Sequence, residues 1–387
     1  MRIELHSSLA RIEPSAWDAL CGDDDPFVEH AFLRTLETTG SVGRGTGWEP
    51  VHVTVWDDAT LVAALPLYKK AHSYGEYTFD FGWAHAATRS GIRYYPKLTS
   101  MVPFTPATGK RLLVHPSRDA AMLAKELFAG VEQAMTETKS SGAHLLYVAP
   151  EERTLVPAAY GERLGYQFHW HAQGEKTFDD FLARFRSETR KQVKRERRRI
   201  GEAGLEVRVA TGPELTSGEL VALDLFYRDT CARKGSEPYL AEGFFEALAE
   251  TPAITRLVAA LAYDRGTLVG GTINFEKGAH LYGRYWGCAD RYDALHFELC
   301  YYQLIDRAIA KGMTRFEAGA QGEHKIKRGL VPSPTYSFHR LKHEGLANAV
   351  AEFLPRERRA VEQEMEILGH ESPFHRVHHD APKEDEG

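Results

Sequence analysis

Cysteine is scarce in this chain. The four cysteines, Cys21, Cys231, Cys288 and Cys300, include no CxxC pair. Neither a disulfide framework nor a Cys-rich zinc site finds support, and reduced thiols in the cytoplasm are expected. Long apolar runs are missing too: none approaches the roughly 20 residues that span a bilayer. The first residues lack the charged-then-apolar layout of a secretory leader. Charge is nearly balanced, with 48 basic and 54 acidic residues and a net charge of −6. There is no global electrostatic case for a nucleic acid or an anionic membrane, so any such partner must be read by a local patch. HExxH, GxxxxGK[ST], GxSxG and GxGxxG are all absent. Zincin, P-loop, serine-hydrolase and dinucleotide-binding readings lose their support, and no metal site is expected.

What is present is an internal repeat. Val51–Trp56 (VHVTVW) meets the turn Asp57-Asp58 and then Thr60–Tyr68 (TLVAALPLY). Thr255–Tyr263 (TRLVAALAY) meets Asp264-Arg265-Gly266 and then Thr267–Phe275 (TLVGGTINF). β-rich runs bounded by Asp/Gly turns are antiparallel hairpins. Each hairpin is followed by a helical periodicity, over Ala120–Lys139 and Leu295–Ala310, that ends near a glycine and enters a strand-like run. Helices, hairpin, helix and strand, repeated, predict an α+β fold made by duplication. The boundary is expected near Gly165–Gly174. This gives a first unit at 1–170, a second at 171–369, and a mobile His-rich tail at 370–387.

The second unit opens with a run predicted as one basic helix, Phe178–Ile200. Within Arg184–Arg199, nine residues are Arg or Lys and two are Glu. Leu182, Phe185, Val193 and Ile200 share an apolar seam, while Arg186, Arg190 and Lys194 align at i, i+4 on another face. A solvated charged helix is one reading. An anionic partner is the other, because like charges in such a stripe repel.

Two further segments carry chemistry. In the first half, aromatics interleave with polar groups from His72 to His85 and from Tyr94 to Arg111. His72, Tyr74, Glu76, Tyr95, Lys97 and Arg111 are the candidate substrate contacts, with Glu76 and His72 as a proton-transfer pair if the loop brings them together. Aromatic packing under a surface loop is the plainer alternative. In the second half, Gly319–Gly329 (GAQGEHKIKRG) follows a strand. There Glu323 or His324 could take a proton from an attacking amine, and Lys327 or Arg328 could hold an anion. A solvated Gly-rich turn is the alternative.

The segments HSYGEYTFD, YYPKL, PFTPATGKRLL, FRSETRKQVKRER and GAQGEHKIKRG, spread over about Pro26 to Leu354, resemble the Fem-like group of predicted N-acyltransferases. That group is related to the Fem-type peptidoglycan aminoacyltransferases. The resemblance implies tandem acetyltransferase-like (GNAT) lobes with a substrate cleft between or beside them. It also implies a cytoplasmic acyl- or aminoacyltransferase with an amine acceptor such as a peptidoglycan precursor or a related small molecule. Arg190, Lys191, Lys194 and Arg195 resemble the family's basic helix. Ile326, Lys327, Gly329 and Leu330 resemble its F-K-x-G-F element, with Ile and Leu in place of the aromatics, so Lys327 becomes a catalytic candidate beside Glu323 and His324. The donor stays open between acyl-CoA and aminoacyl-tRNA, with no tightly bound cofactor. A CoA-binding [QR]xxGx[GA] loop is matched loosely by Arg198–Ala203 and by Arg284–Ala289, the latter after a strand, naming Arg284, Gly287 and Ala289. Two other readings remain: a non-catalytic module binding a cell-wall precursor or RNA, and a nucleic-acid binder acting through the basic helix.

Overall fold

The structure, a computed structural model, describes residues 1–319 and 322–375, with the backbone alone at Glu323. In the first half, β1 (His52–Asp57) and β2 (Thr60–Leu65) form the expected hairpin around Asp58, whose φ is +52°. β3 (Tyr68–Lys70) pairs antiparallel with β4 (Lys97–Ser100). Helix α1 (Ala120–Glu137) starts where the Asp119 carboxylate accepts from the Met122 N–H, and buries Leu123, Leu127, Val131 and Met135. It returns the chain to β5 (Gly142–Val148), parallel to β4, and then to β6 (Gly161–His171).

The second half repeats this order. Helices α2 (Phe178–Ala183), α3 (Ser187–Glu202) and α4 (Ser217–Arg233) precede the hairpin β7 (Leu257–Asp264) and β8 (Thr267–Lys277). The repeat extends to the backbone irregularity. In each hairpin, two cross-strand pairs follow the turn before the register shifts, at Val55/Trp56 and at Ala262/Tyr263. β9 (His280–Cys288) pairs antiparallel with β8 and parallel with β10 (Arg315–Glu317), and β11 (Val331–Leu341) closes the order. The duplicated α+β reading is borne out.

The last strands of the two halves are exchanged. β6 and β11 pair with each other antiparallel, from Val331↔His169 to His339↔Gly161. β11 also pairs with β5 of the first half, and β6 pairs with β10 of the second. The segment expected to hold the boundary, 165–174, is therefore mostly strand β6. One 11-stranded sheet runs through both halves, beside a 4-stranded sheet containing β1 and β2. The core is shared as well: Phe27 of the first half lies edge-on to Phe275 and Tyr282 of the second, with ring centroids 5.2 Å away in both contacts. Among the described residues, no helix is long and apolar enough to cross a membrane.

Two expectations need correction. The basic run is not one helix, because it breaks at Arg184–Arg186, between α2 and α3. Phe185 turns into the core there, 4.9 Å from Phe181 and 5.0 Å from Phe374 between ring centroids. Nor does the tail come free at 370. The Arg186 N–H donates to the Pro373 carbonyl and the His375 N–H to the Arg184 carbonyl, both at 2.9 Å, so the chain end takes up the backbone groups that the break releases. The rest of the expected tail, 376–387, lies outside the described residues. Truncating buried Phe185 in Phe185→Ala should cost about 3–5 kcal/mol. Lys191→Ala, on the exposed face of α3, should stay within about 0.5 kcal/mol. Urea denaturation followed by circular dichroism measures both.

Candidate active site

β9 and β10 are hydrogen-bonded only from His280↔Arg315 to Tyr282↔Glu317. Beyond that point β9 stays with β8, while the other chain turns away through Gly319 at φ +83°. The diverging strands open a wedge holding a cavity of about 580 Å³. First-half residues Ser73–Phe81 and second-half residues from α4, β8, β9 and the 295–310 helix line it.

The first half has the same parallel pair, β4 with β5 over Leu98↔Ala143 to Ser100↔Leu145. The gap beyond it is filled. Arg111, 1% exposed, donates from Nε to the Leu146 carbonyl (2.8 Å) and from Nη2 to the Ala107 carbonyl (2.7 Å). It also pairs with Asp25 at 3.6 Å. Phe104, at φ +60°, packs on Trp48 and stacks on Tyr239. Of two related wedges, one is plugged and one is open.

Four features shape the open wedge. First, the register passes from Ile273↔Tyr285 to Asn274↔Gly283, so Arg284 is an extra residue with no register partner on β8. Second, the 295–310 helix contains a π turn at Glu298–Tyr302, which lets Cys300 and Tyr301 line the cavity together with His296. Third, the Tyr301 hydroxyl lies 3.0 Å from His324 Nε2. Burial, then Lys325 and Arg328, hold His324 below its ordinary pKa, so it is neutral at neutral pH. His296 is pushed to about 3, mainly by burial and then by His324 and the cations Lys234, Lys325 and Arg328. Fourth, Lys325 is 3% exposed and donates to the Gly319 carbonyl at 2.8 Å. Burial lowers it to about 8, only partly opposed by the Cys300 thiol, and among the described residues no carboxylate acts on it.

The expected site residues fall into separate places. His324, Tyr74 and Arg284 line the cavity. The Arg284 guanidinium itself donates to the Phe104 carbonyl and so ties the two halves together. The Glu323 side chain lies outside the described residues, and Lys327 is exposed and does not line the cavity. Arg328 is 5% exposed. Its Nη2 donates to Glu196 of α3 (2.9 Å), its Nη1 donates to the His324 carbonyl (3.0 Å), and its guanidinium lies 3.5 Å over Phe297. It is a strut between the basic helix and the cavity segment. Arg190 and Lys194 lie on α3 outside the cavity lining, with Lys194 paired to Asp179 at 3.3 Å.

Glu76 and Lys97 do not form a pocket surface. Lys97 Nζ donates to Glu76 (2.7 Å) and to Asp80, and Tyr94 OH donates to Asp80 (2.6 Å), all buried. The expected Glu76–His72 pair is replaced, since Thr99 donates to the other Glu76 oxygen (3.1 Å) and His72 Nδ1 accepts from the Tyr74 N–H (3.3 Å). The Tyr95 hydroxyl meets Ser73 at 2.8 Å behind the cavity wall. Arg111 is the plug of the first wedge. Arg284–Ala289 is not a phosphate-binding loop: it is strand β9 except for its last residue, Ala289, whose N–H donates to Val269 (2.8 Å). Gly287 is a packing glycine, because an added Cβ would lie 2.2 Å from the Phe226 carbonyl of α4.

Lys325, His296, Tyr301 and the bulge at Arg284 were not foreseen. In the 3₁₀ turn Glu323–Arg328, three residues per turn put 325 and 328 on the buried side and 324 and 327 outward. No pattern in the sequence reveals that phase.

The fold is similar to that of several solved structures. The fold matches FemX at 12% identity and TM-score 0.52, covering 91% of this chain and 100% of that one. It matches L-PGS from Bacillus licheniformis at 12% identity and TM-score 0.53, over 92% and 97% of the two chains. A conserved protein of unknown function from Bacteroides thetaiotaomicron gives 12% identity and TM-score 0.54, over 88% and 100%. A comparison with curated protein sequences finds no significant match. A family profile described as peptidoglycan biosynthesis/recognition matches residues 8–376, nearly the whole chain, and the protein belongs to that FemAB-like family.

Proposed function

We propose that this protein is an acyl- or aminoacyltransferase whose reaction takes place in the β9/β10 wedge. The donor is an acyl-CoA or an aminoacyl-tRNA, and the acceptor is an amine on a peptidoglycan precursor or a related molecule. The observation that carries the reading is one cavity that brings together a strand bulge at Arg284, a buried lysine with no counterion among the described residues and a neutral histidine. Membership of a family described as peptidoglycan biosynthesis/recognition supports the acceptor class. Both donors are cytoplasmic molecules, which places the reaction in the cytoplasm.

The chemistry follows from these groups. The acceptor nitrogen attacks the acyl carbonyl and forms the C–N bond, and the carbonyl oxygen becomes negative. The Arg284 N–H and the protonated Lys325 stabilise that oxygen. His324, neutral and oriented by Tyr301, accepts the proton the amine loses. Collapse of the intermediate breaks the bond to the thiolate of CoA or the ribose oxygen of tRNA, and the leaving group takes the proton from His324. Aromatic walls limit water, the competing nucleophile.

Two outcomes test this. Lys325→Met should lower kcat by about 10²–10³-fold, the scale for losing one oxyanion contact, with a smaller effect on KM. His324→Gln should cost about 10²–10⁴-fold. The pH profile should be bell-shaped. Its acid limb lies below the ordinary histidine range, where His324 gains its proton. Its alkaline limb lies near pH 8, where Lys325 loses its proton. Lys325→Arg should retain activity and remove the alkaline limb. Purified protein that transfers no acyl group from either donor class to any muropeptide amine would sink the reading.

A further inference from the structure

Asn274 of β8 lines the cavity and is 1% exposed. Its carboxamide is held by one end. Nδ2 donates to the Val258 carbonyl of β7 (3.0 Å) and to Thr272 Oγ1 (2.9 Å), so both of its hydrogens are taken. A carbonyl oxygen can only accept, which fixes the end facing Val258 as the nitrogen. Thr272 is held in turn, because its Oγ1 also accepts from the Ala260 N–H (3.1 Å). Asn274 Oδ1 remains, and among the described residues nothing donates to it. With the nitrogen turned to β7, this oxygen is the polar atom that Asn274 presents to the cavity. Its register partner is Gly283, which also lines the cavity and has no side chain to cover it. A buried acceptor left unpaired is costly, so a fixed one in a cavity calls for a donor that arrives with the ligand.

The surroundings select that donor. Asn274 stands at the register shift beside Arg284, where the proposed transfer places the carbonyl under attack. Lys234, Arg284 and Lys325 line the same cavity, and exposed Glu237 is its one carboxylate among the described lining residues. Every charged group acting on His296 and His324 is cationic. Like charge favours the neutral form of a bound amine, and the neutral form has the lone pair that attacks. A carboxylate at position 274 would instead hold the amine as an unreactive ammonium. A carboxamide accepts one hydrogen without adding charge.

We infer that Asn274 Oδ1 is the acceptor that positions the attacking nitrogen, and that the substrate this site is built for is a neutral primary amine. One amine hydrogen is donated to Asn274. The lone pair forms the C–N bond, the second hydrogen passes to His324 and then to the leaving group, and the bond from the acyl carbon to the donor's sulfur or oxygen breaks. A primary amine has a hydrogen for each partner. A hydroxyl has one hydrogen and satisfies Asn274 or His324 but not both. The inference rests on the transfer reading for the identity of the attacking group, and its test also reads binding without turnover.

The probes are a lysine-containing muropeptide and two analogues whose side-chain amine is replaced by a hydroxyl or a methyl group. In isothermal titration of the full chain, the hydroxyl analogue, which is neutral and has one hydrogen to donate, should bind about five- to tenfold more tightly than the methyl analogue. Asn274→Ala should abolish that contrast. Asn274→Asp should bind the lysine muropeptide more tightly than the parent and lower kcat about 10²-fold, a split that general loss of structure does not produce. Asn274 is buried, so melting temperatures check both variants. If neither folds, the hydroxyl-against-methyl comparison on the parent chain decides alone. The inference is overturned if the methyl analogue binds the parent as tightly as the hydroxyl analogue, if folded Asn274→Ala keeps the contrast, if folded Asn274→Asp keeps the parent's kcat, or if none of the three muropeptides binds. The contrast without acyl transfer from either donor class would overturn the proposed activity alone. Transfer without the contrast would overturn this inference alone.

Discussion

The antiparallel pairing of β6 with β11 is the constraint on which the rest of the molecule depends. Each strand belongs to one half by sequence and completes the sheet of the other half by hydrogen bonding. Neither half can satisfy its strand edges alone, and an unpaired edge is both costly and prone to aggregation. The exchange also sets the site. β10 is three residues long and gains its position from β9 on one side and β6 on the other. The angle at which β9 and β10 diverge is therefore held by a strand from the first half.

Duplication gave two wedges, and divergence spent them differently. In the first, a buried arginine joins Asp25 and backbone carbonyls and fills the opening. A buried cation is tolerated there because every direction it faces offers an acceptor. In the second, Lys325 has a single carbonyl and, among the described residues, no carboxylate, so its charge stays available and its proton is loosely held. The first half still serves the open wedge. Its 73–81 loop supplies a wall, and the buried Lys97–Glu76–Asp80 cluster keeps that wall in place. Polar residues in a loop rich in aromatics can thus act from beneath a pocket rather than inside it.

Arg328 shows how a basic segment can mislead. The three cations in GEHKIKRG suggest several anion contacts, but one of them is a strut, one faces solvent and one enters the cavity. The strut links Glu196 on α3 to the His324 carbonyl, so the basic helix is connected to the site by a buried ion pair rather than by its exposed cations. The outer face of α3 makes surface pairs such as Lys194–Asp179 and Arg198–Glu202, which contribute little to stability.

The local parts of this protein could be read from its residues. The Asp-x-x-Thr-Leu-Val turns, the two hairpins, the helices after them and the apolar side of α3 at Val193 and Ile200 all depend on near neighbours in the chain. Periodicity and turn chemistry express such interactions directly. The break at Arg184–Arg186 could not be read, because its cause is Phe374, nearly 190 residues further along. The same holds for the strand exchange, the plug at Arg111 and the choice of Lys325 over Lys327. Each depends on which distant backbone carbonyl, ring or strand edge stands opposite. The sequence by itself therefore determined the repeated α+β units and the segments that carry chemistry. Only the tertiary structure decided which charges are buried and which wedge stays open, because burial and partnership are properties of residues brought together from different parts of the chain.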